Sequence, residues 1–189
     1  TSYEADQQLF PILQDRIFVL LVLAFVFGAV PFLASEYLFR AILIPFLILA
    51  LAAIGLNILV GFCGQVSLGT GGFMAVGAYA AYNLAIRLPD LNLLVVFLLA
   101  GAASTVVGVL FGLPSLRAKG FYLAVATLAA QFFLDWAFAR IGWFTNYAPS
   151  GSVTAPAITV FGYTFDSPVE KYLFVLAFVC VFALVARNL

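Results

Sequence analysis

Histidine is missing from all 189 residues of the chain, and charge of either sign is scarce. Eight Lys or Arg offset eight Asp or Glu, so that only 8% of residues are charged, against about 25% in a soluble domain. Without imidazole there is no His-containing zinc site and no Ser–His or Cys–His nucleophile pair. A net charge of zero leaves no basic surface for nucleic acid and no acidic solvating tail. The two cysteines, Cys63 and Cys180, are too few for a disulfide framework, and both sit in apolar surroundings. No G-x-x-x-x-G-K-[ST] loop occurs, so the chain lacks a phosphate cradle of its own. Acid–base catalysis at depth needs paired groups, and Asp135 alone among the acids falls well inside an apolar run.

What the chain has in excess is apolar surface: 66% hydrophobic residues, twenty-one phenylalanines and a mean hydropathy of +1.18. These values identify an integral membrane protein, and helices satisfy their own backbone in lipid. The expected fold is all-α, a polytopic transmembrane helical bundle of about six spans, at 17–33, 38–60, 71–88, 91–113, 120–138 and 169–187. Pro31 marks the end of the first span, Pro45 bends the second, and Arg40 snorkels from the second span's first turn. Trp136 and Trp143 bracket Arg140 as an interfacial belt. The short basic loop Pro114–Lys119 points to the cytoplasm by the positive-inside rule, although strict alternation sets Arg87, Arg140 and Lys171 against it on the other side. Residues Thr1–Arg16 are mixed, suited to the interface or to no fixed structure. Thr145–Pro168 is the one long polar connection, with a strand-like piece from Ala157 to Phe165.

Between the second and third spans the helical pattern fails. Gly61, Gly64, Gly69, Gly71 and Gly72 surround Gln65, Ser67 and Thr70, with no charge nearby. We expect a glycine-rich broken-helix or re-entrant segment there, because glycine supplies unusual dihedrals and small polar side chains satisfy freed backbone. Two roles are open to Gln65, Ser67 and Thr70: lining or gating a path for an uncharged or zwitterionic ligand, or only satisfying the backbone. Asn57 is a further path candidate or packing glue between helices. Tyr79 and Tyr82, on one helical face, border the path or pack the bundle. Gly108 and Gly112 form a small-xxx-small pair suited to close helix packing. Gln131 and Asp135 lie one turn apart on one face, with Asp135 either a proton relay or an interfacial anchor.

The run GLNILVGFCGQVSLGTGGFMAVGAYAAY resembles the signature of LivM/LivH-type permeases, the membrane subunits of branched-chain amino-acid ABC importers. Gly55, Leu56, Asn57, Gly61, Gly64, Ser67, Leu68, Gly69, Phe73, Gly77, Ala78 and Tyr79 meet it. A second block agrees: Leu116-Arg117, then Gly120, Tyr122, Leu123, Ala124, Val125, Thr127 and Leu128. Two blocks in order make the likeness specific, and it covers roughly residues 38–168. It departs at Gln131, where many relatives carry an acid, and at Thr145–Gly151, where they carry a T-G-G-x-x-G loop.

The resemblance implies a transport subunit rather than an enzyme, sitting as a multi-pass protein in a bacterial-type inner membrane. Its implied partners are a second homologous permease subunit, two ATPase subunits, an extracytoplasmic solute-binding protein and the lipid bilayer. No cofactor or metal is implied for the chain itself, since ATP is bound by the partner subunits. Residues 1–189 are expected to be one permease domain truncated at the C-terminus. A urea or short-chain amide permease is the near alternative, and a non-transporting structural or assembly subunit is the alternative of a different class.

Overall fold

In the computed structural model, residues 13–115, 121–148, 153–154, 158–160 and 163–188 are described. Residues 1–12, the basic turn at 116–120 and much of the polar connection lie outside them. Six helical elements follow in order. Helix α1 comprises Leu13–Ala24, a π turn at Phe25–Ala29, and Val30–Leu33. Helix α2 spans Glu36–Cys63 and contains a π turn at Phe39–Leu43. The others are α3 (Thr70–Arg87), α4 (Leu93–Ser115), α5 (Phe121–Arg140) and α6 (Pro168–Asn188). Strands β1 (Ile158–Val160) and β2 (Tyr163–Phe165) pair antiparallel, with Thr159 opposite Thr164, in the stretch where the sequence is strand-like.

Helices α2, α4, α5 and α6 are long and apolar enough to cross a membrane. The apolar part of α1, Ile17–Leu33, is shorter. Helix α3 has 18 residues but carries Asn83 and Arg87, and it is not among the four that qualify. The count of six expected spans is thus resolved into four that meet this test and two that fall short of it. Polarity in α3 is tolerable because it packs between α4 and α5, burying Gly72, Val76 and Asn83.

The two prolines explain the two π turns. Pro31 and Pro45 each lack an N–H, and each ring presses on the carbonyl four residues earlier. Those carbonyls belong to Phe27 and Ala41, the middle residues of the two π turns, so one extra residue per turn relieves the clash. Pro31 sits in the last turn of α1, which ends at Leu33, where the first span was expected to end. In the first π turn Val30 N–H reaches Phe25 O. The next residue in that register is Pro31, which has no N–H to offer the Val26 carbonyl. The Tyr172 hydroxyl donates to it at 3.3 Å.

That bond joins α6 to α1 across a core of Phe39, Leu47, Tyr172 and Leu176, with Val26 and Val30 packed on it. A second core of Val76, Leu134 and Phe138, with Phe73, Val107 and Phe111, unites α3, α4 and α5. Phe97 of α4 meets Phe174 and Phe178 of α6 at 6.3 and 5.7 Å, linking the two groups. Pairs such as Phe39–Tyr172, Tyr79–Phe138 and Ser104–Phe73 set the directions. Helices α2, α4 and α6 run one way and α1, α3 and α5 the other, so the α2–α3 connection and the 141–148 loop lie at opposite ends.

Candidate functional site

Helix α2 continues through Gly61 and ends at Cys63; α3 begins at Thr70. The break is therefore residues 64–69, and the expectation that Gly61, Gly71 and Gly72 form part of it is corrected. Gly64 ends α2 with φ +62° and ψ 19°, the left-handed cap that a side chain resists, and its N–H reaches Val60 O at 3.0 Å. Gly69, Gly71 and Gly72 serve a different need. A Cβ on Gly69 would lie 2.6 Å from the Thr127 carbonyl oxygen, and one on Gly72 would lie 3.0 Å from the Cα of Gln131. These glycines let the end of the break and the first turn of α3 lie directly on α5.

Thr127 satisfies the backbone there. Its hydroxyl accepts from Leu68 N–H at 3.0 Å and donates to Ala124 O at 2.9 Å. Gly69 N–H donates to Ser67 Oγ at 3.3 Å. Thr127 lies six residues into α5, about 9 Å along the axis from its start. The break is thus the connection between antiparallel α2 and α3, and it meets α5 one and a half turns in from that helix's start rather than level with it.

Gln65 and Ser67 line a cavity of about 180 Å³ with Leu59, Phe73, Phe111, Leu123 and Thr127. Gly108 and Gly112 border it too. Among the described residues a Cβ on either meets nothing within 4 Å, so the close packing expected of them is not made with these helices. At this depth α4 shares the cavity with Gln65 and Ser67 of the break. Close contact between α3 and α4 occurs further along, where the Ser104 hydroxyl donates to Phe73 O at 3.0 Å.

The other candidates lie apart. Asn57 is exposed on α2, and Thr70 is half-buried in the first turn of α3. Tyr79 is nine residues beyond Thr70, about 13 Å along the helix, and stacks on Phe138 at 4.4 Å. It borders two larger cavities at the end opposite the break. One, of about 570 Å³, is largely apolar and reaches from Val76 to Leu88. The other, of about 690 Å³, is walled by Asp135, Arg140, Thr145 and Tyr147. Buried Asn83 holds this end together by donating to Tyr79 O and Phe144 O, both at 2.9 Å. Arg87 lies 3.8 Å over the Trp143 ring and donates to Trp143 O. Trp143 is thus matched with Arg87.

Sequence reasoning assigned no site role to Thr127, Ser104 or Asn83. Thr127 stood in the second motif block, so a signal existed; its partner, 59 residues away, did not show. Gln131, where the sequence departs from the family pattern, has its side chain against Gly71. Gln131 and Asp135 share a helix but not a role: the first is half-buried against α3, the second exposed at the larger cavity.

Alternating apolar helices, with a glycine-rich break between α2 and α3, define an all-α polytopic membrane protein of the permease class. Residues 38–188 match the family described as branched-chain amino acid transport system, permease component, and the chain belongs to that family. The chain is 42% identical over 82 residues to the high-affinity branched-chain amino acid transport system permease protein LivM of Salmonella typhimurium. It is 39% identical over 82 residues to the Escherichia coli protein of the same name. Each match covers 43% of this chain and 19% of the relative, so the stretch aligned is about a fifth of their length. No solved structure matches.

Proposed function

We propose that this chain is the membrane-spanning permease subunit of an ABC importer for branched-chain or related amino acids, in a bacterial-type inner membrane. Residues 1–189 act as one permease domain, or as the portion of one that carries the break. The observation that carries the reading is the non-helical segment 64–69. It sets uncharged Gln65 and Ser67 on a cavity between the break, α4 and α5, helices the family match includes. Groups that hydrogen-bond without charge meet a zwitterion without trapping it. A second permease completes the path, two ATPase subunits bind ATP and drive alternation, and an extracytoplasmic binding protein delivers the solute.

The test is purification from native membranes followed by reconstitution in vesicles. Leucine, isoleucine or valine is expected to accelerate ATP hydrolysis by the co-purified ATPase and to accumulate inside, with urea as the competing solute. A preparation without ATPase, in vesicles that take up none of the four, overturns the reading. Gln65→Leu addresses the path itself: unchanged affinity and rate rule out a lining role for Gln65.

A further inference from the structure

The apolar cavity of about 570 Å³ is a slot with a cation at its mouth, and it shares no lining residue with the cavity at the break. Val76 and Leu84 of α3, Leu99 and Val107 of α4, and the rings of Phe138 and Phe144 wall it. Along α3 it reaches from Val76 to Leu88, about 18 Å at the helical rise. Asn83 on its wall is already committed to Tyr79 O and Phe144 O. Such walls offer water few partners, so a cavity of this kind stays dry or takes hydrocarbon. Helices α4 and α5 are long and apolar enough to cross the membrane, so lipid is the medium at its side.

Arg87 and Trp143 stand at the mouth, where α3 ends. The guanidinium carbon lies 3.8 Å from the centre of the Trp143 ring, and an N–H donates to Trp143 O at 3.2 Å. These two contacts hold the head over the slot instead of letting the long side chain reach out into water. Neither partner carries a charge. Among the described residues the ion pair is Arg40 with Glu36, not one with Arg87. The exposed Arg87 therefore presents a fixed cation and the remaining donors of its fork, a geometry that matches two phosphate oxygens.

We propose that this slot is a binding site for an anionic phospholipid. One acyl chain lies between α3 and α4 against Phe138, and the phosphodiester takes the free side of the Arg87 guanidinium. The length fits, since one leaflet of hydrocarbon is about 15 Å deep. The level fits too, because arginine and tryptophan together mark the membrane interface, where the headgroups are. A soluble phosphate ester meets one exposed arginine and gains nothing from the apolar walls. A neutral diacylglycerol fills the slot and leaves Arg87 without an anion. Only a ligand with both parts uses the whole site. Its chain ties α3 and α4 to the 141–148 loop, which supplies Trp143 and Phe144.

The experiment places the native complex in nanodiscs that contain phosphatidylglycerol with a diazirine in its acyl chain, and maps the adducts formed in ultraviolet light by peptide mass spectrometry. Diacylglycerol with the same labelled chain is the probe without phosphate, and glycerol 3-phosphate is the soluble competitor without a chain. Phosphatidylglycerol adducts are expected to concentrate on Leu84, Leu99 and Val107 and to survive excess glycerol 3-phosphate. Arg87→Gln should lower them about fivefold, the effect of one arginine at an anionic headgroup, and leave diacylglycerol adducts and those elsewhere on the complex unchanged. Ala103→Phe, which fills the slot from the α4 wall, should lower the adducts of both lipids there. Yields in Arg87→Gln within twofold of wild type overturn the site, as does wild-type labelling no denser in the slot than elsewhere on the complex. Loss of the adducts to glycerol 3-phosphate overturns it in favour of a site for soluble phosphate. If Ala103→Phe does not fold, Ala80→Phe on the α3 wall replaces it; if neither folds, Arg87→Gln, at an exposed position, decides alone.

Discussion

Alanine at Gly69 isolates the close approach between the break and α5. The added Cβ would sit 2.6 Å from the Thr127 carbonyl oxygen and 3.2 Å from Thr127 C and Cβ. An ordinary carbon–oxygen contact is about 3.3 Å or longer, so the segment must move by about 0.7 Å. The nearest atom is backbone, so no truncation of the Thr127 side chain relieves the contact. Overpacking of this kind costs about 1–3 kcal/mol. It also draws Leu68 N–H away from the Thr127 hydroxyl, now 3.0 Å distant. For a chain of this length each kcal/mol moves the melting midpoint by about 2–4 °C, so a drop of roughly 2–12 °C is expected. The assay is the fluorescence-detected midpoint in detergent at a fixed scan rate, since unfolding here is read as a rate-dependent transition. Gly61→Ala and Gly108→Ala are the controls: a Cβ on either meets nothing within 4 Å, and in helix interiors alanine gains up to about 1 kcal/mol over glycine. A Gly69→Ala protein that melts with these controls refutes the claim that Gly69 exists for contact with α5.

Three further outcomes are expected. Tyr172→Phe leaves the Val26 carbonyl without its donor and should cost about 1–3 kcal/mol, read as a lower midpoint; no change would mean that the π turn in α1 needs no outside partner. Asn83→Leu strips Tyr79 O and Phe144 O of a shared donor and should cost about 1–3 kcal/mol, with faster hydrogen exchange in 141–148; unchanged exchange there would count against Asn83 as the tie. Tyr163 donates to the Glu170 carboxylate at 2.7 Å, and that hydrogen bond raises the phenol above its ordinary 10.0. The folded protein thus holds this proton more tightly, so the contribution is complete below the unfolded value and is lost as pH rises through the folded one. Wild type should accordingly lose more stability than Tyr163→Phe on titration upward from pH 10 or so, and parallel curves would refute the coupling of β2 to α6.

The helices were legible because apolar runs are a local property. Every expected span is matched by a helix whose ends fall within a few residues, from Glu36–Cys63 for 38–60 to Pro168–Asn188 for 169–187. The break was legible too, since glycine and small polar residues interrupt a run that lipid would otherwise favour. Its extent was misread, because a glycine that must bend and a glycine that must be small look the same in sequence. Gly64 has a positive φ, while Gly69, Gly71 and Gly72 lie against residues of α5 some 58 to 60 positions on.

By itself, then, the sequence determined that this is a membrane protein, where its helices run and where they fail, for those depend on neighbours along the chain. Tertiary structure decided the rest. It made Thr127 the partner of Leu68 and set Gly108 and Gly112 on a cavity wall. It also set Tyr172 beneath the carbonyl that Pro31 leaves free. Each depends on two segments meeting across the bundle, and hydropathy, being blind to which face meets which, does not encode that meeting in either segment alone.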